Sequence, residues 1–62
     1  MEANSQVIVL ITYYDRELEK VYVSHGVDVY SGRNIIMPPE PLDNYKRMGA
    51  TFNKDIGEWL LT

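Results

Sequence analysis

The chain contains the three residue types of a hydrolytic triad within five positions, at Ser24, His25 and Asp28. A triad needs the serine hydroxyl to reach the imidazole and the imidazole to reach the carboxylate. Neighbouring residues of a β-strand point to opposite faces of a sheet, so we expect Ser24 and His25 to diverge. No Gly-x-Ser-x-Gly elbow surrounds Ser24. The sequence therefore predicts no catalytic residue here, and we expect that the chain is not an enzyme.

Three nearby carboxylates, Asp15, Glu17 and Glu19, could in principle act as a paired acid and base. The pattern favours a solvated turn instead, because charge at a strand edge discourages edge-to-edge association. A zinc site is also disfavoured, since His25 is the only histidine and the chain has no cysteine. We expect no bound metal and no cofactor.

The elements that would position these residues begin with a strand over residues 6–14, which is rich in β-branched side chains. Both of its faces are largely apolar, which is typical of a central strand. A charged turn leads to a second strand over residues 18–24. His25-Gly26 interrupts that strand, and a further strand over 27–30 leads through a Gly-containing turn to one over 34–37. The pattern predicts two hairpins.

The second half of the chain changes period. Pro38, Pro39 and Pro41 end the preceding strand, because proline cannot donate to a ladder. The three-residue spacing of Leu42, Tyr45 and Met48 then predicts one side of a short helix that packs on the core. Gly49 reads as the left-handed cap of this helix. After it, Phe52 and Trp59 are expected as cross-strand neighbours of a last hairpin, closed by a turn that contains Gly57.

These elements predict one domain over residues 1–62, with residues 1–5 frayed. The expected class is α+β, a small antiparallel β-sheet of about four to six short strands with one short helix packed on it. A domain of this length buries only about 60% of the surface of its unfolded chain. Its core is therefore thin, and homodimerisation through an open sheet face is an expectation that follows.

Residues 35–62 also carry a set of spaced landmarks. Pro38 precedes a charged helix, Gly49-Ala50 follows it, and Trp59 opens the pattern Trp-Leu-Leu. In these features the segment resembles the small domain of unknown function that is appended to plasmid and phage primases and related mobile-element proteins. Phe52 and Asn53 stand where that family has Trp and Asp. The resemblance implies a phage or mobile-element origin and a role near nucleic acid, and it brings no catalytic residues.

Five tyrosines in a chain of 62 residues exceed what a small core can hide with each hydroxyl satisfied. Some should be exposed near basic side chains, where they would suit a protein interface or base stacking. The candidate interaction surface consists of Tyr13, Tyr22, Tyr30, Arg33, Tyr45, Lys46, Arg47 and Lys54.

Two functions stay open at this point. The first is a small protein-binding or regulatory module, which the net charge of −3 and the lack of a catalytic set favour. The second is an accessory nucleic-acid-binding module, which the acidic balance disfavours because such binding relies on clustered positive charge. The longest apolar run is far too short to cross a bilayer, so no membrane role is expected. Absence of cysteine and of a secretory signal favours the cytoplasm.

Overall fold

The computed structural model describes residues 6–62, which form an antiparallel five-stranded β-sheet that carries one short helix. The elements are β1 Ile8–Asp15, β2 Lys20–Asp28, β3 Asn34–Ile35, α1 Leu42–Arg47, β4 Thr51–Asn53 and β5 Glu58–Leu61. The strands follow the order β3-β2-β1-β5-β4, with β1 at the centre as expected. The α+β prediction is confirmed, whereas the predicted fraying of residues 1–5 lies outside the described residues.

Strand β2 contains a β-bulge that the sequence pattern did not predict. Ile11 lies opposite His25, but the next residue, Thr12, lies opposite Val23, so Ser24 is the extra residue of β2. The predicted interruption at His25-Gly26, with separate strands on either side, is therefore wrong. The ladder continues through the bulge because one unpaired residue shifts the alternation and bends the strand without ending it.

The buried core lies on one side of the sheet, beneath α1. It consists of Leu10, Val23, Leu42, Tyr45 and Ala50, with Ile8, Met37, Trp59 and Leu61 packed around it. The bulge makes this core continuous, because it lets both Val23 and Gly26 face the helix although three positions separate them. We call this side the helix face.

Helix α1 ends as a Schellman motif. The Gly49 N–H donates to the Lys46 carbonyl at 3.1 Å, and the Ala50 N–H donates to the Tyr45 carbonyl at 3.0 Å. Gly49 has a φ of 110°, which confirms its predicted role as the cap. Met48 is exposed, so the expectation that it lines the core is wrong. It stands at the C-cap itself, where the chain already leaves the helix.

The three hairpin turns share one hydrogen-bonding device. The first side chain of each turn accepts the backbone N–H groups two and three residues further on, and these side chains are Asp15, Asp28 and Asn53. The residue four positions after each has a positive φ: Glu19 at 54°, Gly32 at 75° and Gly57 at 72°. Only the first turn has a residue other than glycine at this left-handed position.

The last hairpin brings the two expected aromatics together. Phe52 pairs with Trp59 across β4 and β5, and their ring centroids lie 5.5 Å apart in an edge-to-face arrangement. Trp59 packs against the core, but Phe52 stays 49% exposed on the outermost strand. The pairing is confirmed, and the expectation that both rings face the core holds for Trp59 alone.

Replacing Gly26 by Ala should destabilise the protein. A Cβ at this position would lie 2.5 Å from Ile8 Cγ2 and 2.7 Å from Met37 Sδ. We expect a loss of about 1–3 kcal/mol in the free energy of unfolding, measured by urea denaturation, because the added methyl overpacks a filled site. In an Ile8→Leu background, which lacks the Cγ2 methyl, the cost should be smaller. An equal cost in both backgrounds would contradict this packing.

Replacing Glu19 by Gly should stabilise the protein, because glycine occupies the left-handed region without the steric cost that Glu19 carries at a φ of 54°. We expect a net gain of about 0.5–1 kcal/mol after the larger unfolded-state entropy of glycine is subtracted. Glu17→Gly in the same turn is the matched control and should destabilise the protein. A loss of stability from both substitutions would contradict the turn geometry.

Candidate interaction surface

The side of the sheet opposite α1 carries an uncovered row of aliphatic side chains. Val9 lies opposite Val27 of β2 and opposite Leu60 of β5, so these three side chains share a face. Ile11 follows on the same face of β1. All four are half-buried by their neighbours within the sheet, and no other helix or strand of residues 6–62 lies across them.

We call this side the open face. The alternation of the strands and their register place thirteen side chains on it. Eight are central, Val9, Ile11, Tyr13, Tyr22, His25, Val27, Glu58 and Leu60, and five polar ones lie around them, Asp15, Lys20, Asn34, Thr51 and Asn53. Glu58 belongs to it because one further step of the β1–β5 register sets Glu58 opposite Ile11. A contiguous apolar patch with a polar rim is the kind of surface at which proteins bind one another.

Two of the predicted surface tyrosines meet on the open face. Tyr13 and Tyr22 lie opposite each other across β1 and β2, and their rings stack with centroids 6.0 Å apart. Tyr13 is 44% exposed. The β1–β2 ladder continues to Asp15 and Lys20, beyond the last residue that β1 pairs with β5, which is Leu10. The stacked pair therefore extends the aliphatic row along a two-stranded arm.

The bulge brings Ser24 and His25 together. Ser24 Oγ lies 2.9 Å from His25 Nδ1 and 3.3 Å from the Ile11 carbonyl oxygen. The expectation that these neighbours diverge is wrong, because an extra residue in one strand breaks the alternation on which it depends. The contact links the two residues at the rim of the open face.

The third residue type of the triad takes no part in that contact. The Asp28 carboxylate accepts hydrogen bonds from Gln6 Nε2 and from the backbone N–H groups of Tyr30 and Ser31. The bond from Gln6, then those from the two backbone groups, hold the pKa of Asp28 below its usual value. Asp28 thus shapes the β2–β3 turn, and Ser24, His25 and Asp28 form no catalytic triad.

The predicted basic residues do not converge. Arg33 lies in the β2–β3 turn beside β3, at one edge of the sheet, and Lys54 lies in the turn after β4, at the other edge. Lys46 and Arg47 are in the last turn of α1, on the helix face. Separate locations of this kind do not form the basic stripe that backbone phosphates require.

The two helix cations are also engaged locally. Lys46 Nζ lies 3.6 Å from an Asp43 carboxylate oxygen and 4.9 Å from the centre of the Trp59 ring. Arg47 donates to Asn44 Oδ1 at 3.3 Å. These contacts are exposed and contribute little to stability, but they direct both side chains along the helix.

Of the remaining predicted surface residues, Tyr45 is the clear correction. It is only 2% exposed, and its hydroxyl donates to the Pro38 carbonyl at 2.7 Å. Burial, and then the charge of Glu40, raise the pKa of Tyr45 above its usual value. Tyr45 is a core residue because residues three positions apart lie on the same side of a helix, so Leu42 and Tyr45 both face the sheet. Tyr30 is 76% exposed, but it lies in the β2–β3 turn outside the open face.

A comparison of the chain with protein-family models, with curated proteins and with solved structures finds no match. The resemblance of residues 35–62 to the primase-associated domain therefore stays a prediction. Within residues 6–62, no group of three or more His, Cys, Asp or Glu side chains is arranged to hold a metal ion. The one described helix is too short and polar to span a bilayer.

The aliphatic residues of the open face were absent from the predicted surface, although the sequence contained a signal for them. Val9 and Ile11 alternate with Ile8 and Leu10 in a strand that is apolar on both faces. A chain with one short helix can cover only one of these faces. The predicted surface, which consists of tyrosines and cations, therefore shares Tyr13 and Tyr22 with the open face but lacks its aliphatic residues on β1, β2 and β5.

The hydrogen bonds of Asp28 predict a measurable pH dependence. Because its pKa is lowered in the folded state, its contribution to stability is present above the unfolded pKa of about 4 and is lost as the pH falls further. Asp28→Asn, which keeps one oxygen for the turn as Asn53 does, should abolish this part of the acid destabilisation. Thermal melts at pH 6 and in mild acid measure it.

Asp55→Asn is the control for this experiment, because the Asp55 carboxylate accepts no hydrogen bond from the described residues. It should leave the difference between the two melts unchanged. If Asp28→Asn melts with the same pH dependence as the parent protein, the proposed role of the turn is wrong.

Proposed function

We propose that this protein is a small, non-enzymatic protein-binding module that acts through its open face. The observation that carries the proposal is the aliphatic row of Val9, Val27 and Leu60, uncovered on a sheet whose other side holds the entire core. Exposed apolar area of this kind costs solubility unless another surface covers it. Binding to a protein surface would remove that area from water, which is a favourable change.

The chemistry of the open face suits a protein better than a nucleic acid. Aliphatic side chains at its centre and stacked tyrosines beside them are the composition of interface cores, in which charged residues are depleted. Its one basic side chain is Lys20, which lies opposite Asp15 at the end of the arm. A net charge of −3 adds long-range repulsion from phosphate.

A nucleic-acid accessory role is the second candidate, and the helix face supplies the observation that favours it. Lys46 lies over the ring of Trp59, whose neighbour Phe52 is half-exposed, and Arg47 follows in the chain. An aromatic ring beside cations can stack a base of a single strand. The resemblance to primase-associated domains points in the same direction.

The cellular setting belongs to the same proposal. A regulatory module of phage or mobile-element origin would act in the cytoplasm, on a protein of its own element or of the host. The absence of cysteine from the chain supports a reducing compartment. The resemblance of residues 35–62 supports the origin.

Site-specific photocrosslinking tests the protein-binding role. Replacing Tyr13, on the open face, by p-benzoylphenylalanine should give crosslinked adducts in cells on irradiation. The same replacement of Tyr30 is the matched control, because it exchanges an exposed tyrosine outside the open face. Adducts at Tyr13 and none at Tyr30 are expected. Equal yields at the two positions, or none at Tyr13, would overturn the proposal.

An amide-shift titration with short single-stranded DNA tests the second candidate. Saturable shifts at Lys46, Arg47 and Phe52 that weaken as salt is added would support it. Shifts confined to the open face, or none at low salt, would remove it.

A further inference from the structure

We infer that the partner on the open face is a second copy of this chain, packed face to face about a two-fold axis parallel to β1. The inference rests on the proposed function, since it names the protein that the open face binds. Three features carry it: the aliphatic pattern of the face, the position of its polar groups, and the thinness of the core.

The aliphatic pattern is self-complementary about this axis. A two-fold rotation between the sheets places β1 over β1 of the other copy, and β2 over β5 of the other copy. In the first row of the face, Val9 then meets Val9 of the partner subunit, and Val27 meets Leu60 of the partner subunit. In the next row, Ile11 meets its own counterpart. Aliphatic groups thus cover aliphatic groups, as in aligned sheet packing.

The polar groups are complementary under the same rotation. His25 lies opposite Ile11, and the β1–β5 register, continued by one step from the Leu10–Trp59 pair, places Glu58 on the other side of Ile11. The rotation sets His25 against Glu58 of the partner subunit, and the symmetry repeats the pair. The Glu58 carboxylate accepts no hydrogen bond from residues 6–62, and His25 Nε2 is likewise unengaged there, since its only bond uses Nδ1. Each group is available to the other.

A two-fold axis perpendicular to β1 gives a poorer match. It would exchange the two rows, so that Glu58 would cover Leu60 of the partner subunit and His25 would cover Val27 of the partner subunit. Four polar groups would then be buried on aliphatic side chains without partners, which is unfavourable. The arrangement of polar groups on the open face therefore favours the axis parallel to β1.

The size of the face sets the expected strength. Its thirteen side chains fall below the roughly 20–30 residues that each partner contributes to a standard interface. We expect a reversible dimer with a dissociation constant in the micromolar range or weaker. In the dimer the open faces form a second apolar layer beside the five buried residues of each core. Both copies of α1 then lie on the outside.

Sedimentation velocity over about 10 μM to about 1 mM tests the inference on the full chain. The parent protein should shift from monomer to dimer across this range. His25→Glu alone places two carboxylates in each of the symmetric pairs. Glu58→Lys alone replaces the carboxylate that faces His25 by an ammonium group, so both pairs lose their charge-assisted hydrogen bond. Each variant alone should dimerise at least about tenfold more weakly.

An equimolar mixture of the two variants should restore the dimer. In the mixed pair, the introduced glutamate of one copy faces the introduced lysine of the other, and the remaining Glu58 faces the remaining His25. Met48→Glu is the control, because Met48 is 64% exposed at the C-cap of α1, on the helix face, and it should dimerise like the parent. Amide spectra that overlay with the parent spectrum show that each variant is folded.

A strictly monomeric parent at about 1 mM would overturn the inference. Failure of the mixture to associate more tightly than either variant alone would overturn it as well, because that rescue depends on this axis. Failure of this inference is distinguishable from failure of the proposed function. If Tyr13 forms adducts with a different protein while the parent is monomeric, the binding role is retained and the second copy is rejected.

Discussion

One limit on packing determines the rest of the structure. A single helix of six residues packs on a sheet of five strands, so only one face of the sheet can be buried by it. Leu42 and Tyr45 project from successive turns of α1 onto Leu10 and Val23, and Ala50 completes the contact after the Gly49 cap. The helix is so short that Leu42 and Tyr45 are its only buried residues. Every apolar residue on the other face is left to the solvent or to a partner.

The bulge at Ser24 connects the two faces. Without the extra residue, Val23 and Gly26 could not both face the helix, because odd and even positions of a strand alternate. The same shift turns the Ser24 hydroxyl towards His25 and places the imidazole beside Ile11. One local irregularity therefore completes the core and positions a polar group at the rim of the open face. Ser24 and His25, two of the three residue types of a hydrolytic triad, owe their contact to this bulge.

Much of the fold could be predicted from the sequence, namely those features that depend only on residues close together in the chain. Gly49 after a short apolar repeat and the Phe52–Trp59 pair across a glycine turn are of this kind. The bulge could not be predicted from the sequence. The break of alternation at Ser24 becomes visible only when the pairing of β1 with β2 is known on both sides of that residue. The sequence also contains a pattern that indicates the shared turn structure, because Asp28 and Gly32 have the same four-residue spacing as Asn53 and Gly57. The predicted surface consists of tyrosines and cations and lacks the aliphatic residues of the open face, although a central strand that is apolar on both faces needs a covering layer on each side.

The most direct test of the open face is the accessibility of its methyl groups to a soluble paramagnetic agent. The methyl groups of Val9, Ile11, Val27 and Leu60 are compared with that of Met48, on the helix face, by NMR at low and at high protein concentration. We predict strong relaxation enhancement at all five residues in dilute solution. At high concentration the four open-face residues should become protected while Met48 stays accessible. Equal enhancement at both concentrations would contradict the account, because the open face would then remain in contact with water.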